Sequence, residues 1–433
     1  MKKNKFFAGL AASVLAAGMM TAVSASATAA EPLDNYEIIN GTQVSFDKYL
    51  VMENSATVPN VSFGFSVAPA EEDIPATENT LGVKKGPAGI KFVADEDNDV
   101  TVNTDGNAQA AFKSSDTTEA EADAENRTIK FDTDIEDDEK FASKAVTLDL
   151  SEVEFTEPDV YRYVVTEQKA EGIAGVTSDA DNVRYLDVYV IDKDGELKID
   201  GFYFHTGSDA PKVGTPDSSR KSTGFSNAYR TNDLAFSKTV TGNQGSKDKY
   251  FKFTLTLTNA DGLDVNDDDV FMLKGSWDKE PEVNDATIYT AEELASNKKT
   301  SLTYAELKAG YDIYLHSGQN ITVQGIPEGL GYVVKEAFED YAPSVVLSNS
   351  SDMQTADKED EGTAIEGKTE GTEFSVTDTY LTKNTEAAFT NDRAGTLPTG
   401  IIVAVAVPVV LSIAGFAGAM TIFIKRRKED AEG

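Results

Sequence analysis

The chain has 433 residues, enough for two or three ordinary domains, and carries 74 acidic against 39 basic residues, a formal net charge of −35. A field of that sign argues against nucleic acid or an anionic surface as partner. There is no cysteine and there are two histidines, His205 and His316, which argues against disulfides, a zinc site and a Ser-His-Asp triad, and leaves stability to large cores, metals or another crosslink.

Residues 1–30 read as a signal peptide. Lys2, Lys3 and Lys5 form a basic start, an apolar run extends from Phe6 to about Val23, and small residues with A-x-A spacing fill Ser24 to Ala30. Cleavage is expected between Ala27 and Glu31. From there on helical periodicity is scarce and two-residue alternation is common. Val61–Val67, Val183–Ile191, the alternating Phe251, Phe253, Leu255 and Leu257, and Gly331–Val334 are predicted strands, and Lys193-Asp194-Gly195 a turn. Many strands with few helices imply β-sandwiches, an all-β fold class. Polar stretches at about residues 72–90, 114–139 and 351–373 are expected to be long surface loops. Asp95, Asp97 and Asp99 match the first ligands of an EF-hand loop, but Val100 stands where glycine is needed and Gly106 where glutamate is needed. That segment and Asp267-Asp268-Asp269 are read as solvated acidic turns, and no metal or cofactor is expected. Ile401 to Ile424 is 24 uncharged, mostly apolar residues, long enough to cross a bilayer, and Lys425, Arg426, Arg427 and Lys428 follow at once. Positive residues stay in the cytoplasm, so everything before residue 400 faces outward.

A set of short motifs occurs twice, in the same order. Phe46-Asp47-Lys48, Tyr163-Val164-Val165-Thr166-Glu167 and Phe225-Ser226-Asn227 are followed by Phe236-Ser237-Lys238, Tyr332-Val333-Val334-Lys335-Glu336 and Phe389-Thr390-Asn391. On a strand, residues i and i+2 share a face. If the aromatic residues face the core, Lys48, Glu167 and Asn227 enter it with them, and Lys238, Glu336 and Asn391 do the same in the second half. Burying an unpaired charge is costly. Desolvation lowers the pKa of a buried lysine and raises that of a buried glutamate, so both can sit neutral. The amine can then attack the asparagine side-chain carbonyl while the acid polarises it and shuttles protons; ammonia leaves and an amide remains. This is a single-turnover self-crosslinking reaction, not enzymatic catalysis on a substrate. The alternative is that both lysines lie at the surface with their stems over apolar edges.

These pieces, with Asn391 close to the apolar span, resemble the streptococcal-type major (backbone) pilin with its isopeptide linkage domains, a sortase-assembled Gram-positive family. The resemblance covers most of residues 36–424 and is strongest at 160–169, 234–242, 321–336 and 388–400. Across about 70–140 the chain carries extra loop. The resemblance implies two tandem immunoglobulin-like β-sandwiches, residues 31–232 and 233–395, between the signal peptide and a sorting segment, 396–433. It implies bonds Lys48–Asn227 with Glu167 and Lys238–Asn391 with Glu336.

Thr396-Leu397-Pro398-Thr399-Gly400, placed before the span and basic tail, resembles a sortase sorting signal. It lacks one residue between Pro398 and Thr399 relative to the common L-P-x-T-G and is closer to a V-P-T-G form. By that resemblance Leu397, Pro398, Thr399 and Gly400 are the recognition set, and Thr399 becomes the acyl donor. In the resembling pilins the accepting lysine lies shortly before the last strand of the first domain. Here that segment is Pro211–Phe225, where Lys221 is the first candidate and Lys212 the rival, in a stretch that Gly214, Pro216, Asp217, Ser218 and Ser219 mark as exposed and mobile. The partners implied are sortase, identical subunits in a covalent head-to-tail polymer, peptidoglycan and minor pilins, at the cell surface. The alternative function is a wall-anchored adhesin or minor pilin that binds a host ligand. A secreted hydrolase finds no nucleophile elbow, metal-ligand cluster or carboxylate pair in the sequence.

Overall fold

The computed structural model describes residues 41–120, 139–213, 218–283, 288–337, 339–348, 364–366, 369–370, 373–378 and 381–395. The expected signal peptide, the sorting motif with Thr399, the apolar span and its basic tail lie outside these residues. Among the described residues no helix is long and apolar enough to cross a membrane.

Alternation sets the strands. In the first half they are β1 (Gln43–Glu53), β2 (Val61–Pro69), β3 (Lys84–Lys85), β4 (Lys91–Val93), β5 (Val100–Val102), β6 (Ala108–Phe112) and β7 (Glu119–Ala120). β8 (Glu139–Asp149), β9 (Asp159–Glu167), β10 (Val176–Thr177), β11 (Val183–Lys193), β12 (Glu196–His205) and β13 (Gly224–Tyr229) complete it. One sheet runs β10-β13-β1-β8-β4 with β7 beside β8; the other runs β12-β11-β9-β2-β6-β5 with β3 beside β9. Between them lies a core with Phe46, Phe63, Phe65, Phe204 and Phe225 at its centre, each ring contributing about 1.5–3 kcal/mol by its burial.

The second half repeats the plan with β14 (Thr231–Thr241), β15 (Phe251–Thr258), β16 (Val270–Gly275), two short helices α1 (Ala291–Leu294) and α2 (Tyr304–Ala309), and β17 (Ser301–Thr303). Then come β18 (Tyr311–Leu315), β19 (Asn320–Pro327), β20 (Gly331–Ala337), β21 (Ala342–Ser348), β22 (Ala364–Glu366), β23 (Thr369–Glu370), β24 (Glu373–Asp378) and β25 (Thr385–Asp392). Its sheets run β17-β16-β19-β14-β25-β21-β22 and β18-β15-β20-β24-β23. The alternation on β15 buries Phe251, Phe253, Leu255 and Leu257 in turn.

In both sandwiches the first and last strands are parallel neighbours. Lys48 lies opposite Phe225 and Leu50 opposite Asn227; Lys238 lies opposite Phe389 and Val240 opposite Asn391. The register is the same twice. At the start of β13 a Cβ on Gly224 would fall 1.7 Å from the Asp47 carbonyl oxygen, so only glycine lets the two backbones meet there. Gly224→Ala is expected to push β13 off β1 and lower the melting midpoint of the first sandwich by roughly 2–10 °C, the equivalent of ~1–3 kcal/mol of overpacking. An unchanged midpoint in calorimetry would show that the strands can part at no cost.

The predicted strands all form. Asp194 and Gly195 both take positive φ, +62° and +85°, the backbone of a tight hairpin turn whose twist matches the flanking strands. Several loop expectations need correction. Residues 72–90 are not a free surface loop: β3 pairs with β9, Ile74 bridges Val83, and Val83 packs with Val160 and Ala210. The 70–140 region is no simple insertion either, since β4, β5 and β6 deliver Phe92, Val100, Ala108, Ala110 and Phe112 to the core. Of 114–139, β7 and the start of β8 are strand and 121–138 lie outside the described residues; of 351–373, only β22, β23 and the first residue of β24 are described. At the acidic turns, Asp99 pairs with Lys113 and Lys144, whereas Asp269 is not solvated. It is buried, and its Oδ1 accepts the Asn60 backbone N–H at 2.6 Å and the Asn60 side chain at 2.9 Å, joining the two sandwiches. Asp264 and the 172–174 segment exchange backbone hydrogen bonds beside it.

Candidate crosslinking sites

The phase of each strand delivers the motif residues. On β1, Val44, Phe46, Lys48, Leu50 and Met52 are all buried; on β9, Tyr163, Val165 and Glu167 are. Lys48 and Asn227 sit on one sheet and Glu167 reaches them from the other. Lys48, Glu167, Asn227, Lys238, Glu336 and Asn391 are none more than 2% exposed, which excludes the alternative of surface lysines.

Lys48 Nζ lies 2.8 Å from Glu167 Oε1, and the same oxygen accepts from Asn227 Nδ2 at 2.9 Å. In the second sandwich Lys238 Nζ contacts Glu336 Oε1, which accepts from Asn391 Nδ2 at 2.8 Å. The surroundings match as well. Lys48 Nζ stands 4.4 Å over the ring of Phe63 and Lys238 Nζ 4.3 Å over that of Phe251. Across the strands Glu167 faces Phe65 and Glu336 faces Phe253. These F-x-F pairs complete an aromatic cage that the sequence reading left out of the site. Their signal was present in both strands, but nothing local says which strand pairs with the glutamate.

The cages exclude water and so move both ionisations. Burial pulls the Lys48 amine down to about 8 although Glu167 opposes the shift, and does the same to Lys238 against Glu336. Burial pushes the Glu167 and Glu336 carboxyls up, with the facing lysines opposing. Glu167 Oε2 and Glu336 Oε2 are buried without a hydrogen-bond partner among the described residues, an arrangement that costs less for a carboxylic acid than for a carboxylate. An amine with a free lone pair beside a neutral acid and an amide is a competent set of reactants.

One expectation is corrected in detail. The glutamates contact the amide nitrogen, not the amide oxygen they were expected to polarise. Asn227 Oδ1 instead accepts the backbone N–H of Asp179 at 2.8 Å. Because that group can only donate, it fixes the side-chain amide orientation. Asp179 is itself a buried carboxylate paired with the buried Arg184 at 2.9 Å. A second buried cluster, Arg162, Asp187 and His205, lies on the outer face of β9, β11 and β12. Arg162 bonds Asp187 at 2.6 and 2.8 Å and His205 meets it at 3.1 Å. Burial alone would raise the Asp187 carboxyl, but Arg162 and His205 hold it below its usual range. Neither cluster left a sequence signal, because its members come from unrelated strands and loops.

The expected acceptor loop starts where this second cluster ends. Lys221 is half-buried, its backbone bridged to His205, while Lys212 is exposed and bridged to Thr80. The flanks are tied rather than mobile: Thr206 N–H bonds Arg220 O at 2.8 Å, Ser222 N–H bonds Phe204 O at 3.0 Å, and Val213 N–H bonds Asn79 O at 2.9 Å. Residues 214–217 lie outside the described residues.

Residues 60–230 match the family model of the Spy0128-like isopeptide containing domain, and residues 232–393 match a domain of unknown function, DUF7601. A pilin of Streptococcus pyogenes serotype M1 is 26% identical over 420 residues, covering 94% of this chain and 98% of that one. Among solved structures, the major pilin of Streptococcus pyogenes is similar over 82% of this chain and 100% of its own, with 21% identity and a TM-score of 0.46. The T3.2 major pilin of the same species is similar over 82% of this chain and 99% of its own, with 20% identity and a TM-score of 0.42.

Proposed function

We propose that this chain, a pilin with a Spy0128-like isopeptide containing domain, is the repeating subunit of a covalent pilus shaft on the cell surface, and that each sandwich closes one Lys–Asn bond. The observation that carries the crosslinks is a fully buried lysine, glutamate and asparagine in contact, twice, at the same strand register. The Lys48 Nζ lone pair attacks Asn227 Cγ. Glu167 Oε1 touches both the nitrogen that loses protons and the nitrogen that leaves, so it can carry a proton from one to the other. The Nζ–Cγ bond forms, the Cγ–Nδ2 bond breaks, and ammonia departs. Lys238, Glu336 and Asn391 repeat the reaction. The product is neutral at Lys and Asn and can no longer be protonated to a buried ammonium.

Each bond ties the first strand of a sandwich to its last. Closing a loop of about 150–180 residues removes roughly 5 kcal/mol of unfolded-state entropy, with the disulfide case as guide. The absence of cysteine fits a chain stapled in this way. Polymerisation is assigned to a sortase that cleaves after Thr399 and joins it to a lysine of the next subunit, Lys221 first and Lys212 second. That assignment rests on the Leu397-Pro398-Thr399-Gly400 motif before an apolar span and basic tail, and peptidoglycan is the final acceptor.

Two measurements test the reading. The body from residue 31 to 399 is expected to weigh about 34 Da less than its sequence mass, one ammonia per amide formed; the full sequence mass in intact-protein mass spectrometry would sink the crosslinks. Wall extracts are expected to give an SDS-resistant ladder of multimers. A single monomer-sized species would favour a wall-anchored adhesin instead.

A further inference from the structure

A group that takes up negative charge on the amide oxygen as the amine adds speeds such a reaction, and Glu167 stands at the amide nitrogen instead. We propose that the Asp179 backbone N–H is the oxyanion donor for the Lys48–Asn227 reaction, and that Arg184 is the positioning residue that holds it there. This rests on the crosslinking reading and extends it to residues outside the repeated motifs.

The geometry is specific. The N–H of Asp179 points at Asn227 Oδ1 from 2.8 Å, the atom on which charge accumulates when Lys48 Nζ adds to Cγ. The electron pair of the carbonyl moves to Oδ1, is held by the N–H, and returns as the Cγ–Nδ2 bond breaks and ammonia leaves. A preorganised donor at that atom acts without reorganisation in a water-free core. The Asp179 segment joins β10 to β11 and has no strand partner of its own to fix it. Ser178 and Asn182 tie its ends to residues 167–170, and its middle is anchored by Arg184, whose guanidinium bonds Asp179 Oδ2 at 2.9 Å, the Asp181 and Val183 carbonyls at 2.5 and 3.0 Å, and Ser222 Oγ at 2.9 Å. Asp179 Oδ2 also accepts the Ser226 N–H at 3.2 Å, so loop and β13 are locked together one residue from the reacting asparagine. Asn391 Oδ1 has no hydrogen-bond partner among the described residues. The second sandwich therefore serves as an internal reference.

The test uses the exported body carrying Asp179→Asn with Arg184→Gln, which removes both charges of the pair and strands neither. Chains are collected after a short pulse of expression and followed in time by peptide mass spectrometry that scores each crosslink separately. Closure of Lys48–Asn227 is expected to slow by at least about tenfold, since loss of one oxyanion donor slows acyl chemistry by about 10²–10³ and this variant displaces the donor without deleting it. Closure of Lys238–Asn391 is expected to keep its wild-type rate. The same double change in a Glu167→Ala background, where no first bond forms, is expected to move the melting midpoint of that sandwich by only a few degrees. A wild-type closure rate at Lys48–Asn227 overturns the inference and leaves the crosslinking reading standing. Slow closure accompanied by collapse of the Glu167→Ala sandwich overturns it too, because the role is then structural. A wild-type chain at full sequence mass overturns the reading and the inference together.

Discussion

Glu167→Ala and Glu336→Ala are each expected to give a folded chain about 17 Da below its own sequence mass, where the wild type lies about 34 Da below, with one bond open and the other intact. Each glutamate touches both nitrogens between which a proton must pass, so its removal strands the amine beside an unactivated amide. The affected sandwich loses the roughly 5 kcal/mol loop constraint, and its melting midpoint is expected to fall by about 10–20 °C. Part of that fall in the alanine variants comes from a buried lysine left without its partner. Asn227→Ala and Asn391→Ala separate the two contributions, since they prevent the bond and keep the Lys–Glu pair. They are expected to show most of the same drop. If Glu167→Ala closes its bond at the normal rate, the assigned proton shuttle is wrong even if the chain is crosslinked.

Lys221→Ala is expected to abolish the multimer ladder while monomer export and both internal bonds persist. Lys221 stands six residues before Asn227 and is half-buried, with its backbone held against His205. If it accepts Thr399, the covalent path through a subunit is short: from Lys221 along β13 and β14 to Lys238, across the second bond to Asn391, and on to Thr399. Tension would then pass through few residues of backbone and one amide, bypassing the hydrogen-bonded sheets. Lys212 is the more exposed of the two, which makes the single variants informative. An unchanged ladder in Lys221→Ala moves the acceptor to Lys212. An unchanged ladder in the double variant removes this loop from consideration, and the path just described with it.

Residue order alone specifies a β-rich body, its strand phases and the residue types that share a buried face. Those properties depend on two-residue periodicity, which a strand expresses whatever it pairs with, so the burial of Lys48 with Phe46 and of Glu167 with Val165 was legible in advance. The doubling of the motif carried the rest, because two independent halves would not place a lysine, a glutamate and an asparagine at matching phases by chance. Who meets whom across long sequence separations is set only when the chain folds. Periodicity does not encode partners, so the parallel pairing of β1 with β13 and the aromatic cage from Phe63 and Phe65 appear only when the sheets assemble. The same holds for the strands hidden in residues 72–112, whose polar composition masks a few well-placed apolar side chains such as Val83 and Phe92. It holds most for Asp179, whose contribution at the site is a backbone N–H. Any residue but proline carries that group; what aims it at Asn227 is an ion pair to Arg184, made by the folded loop.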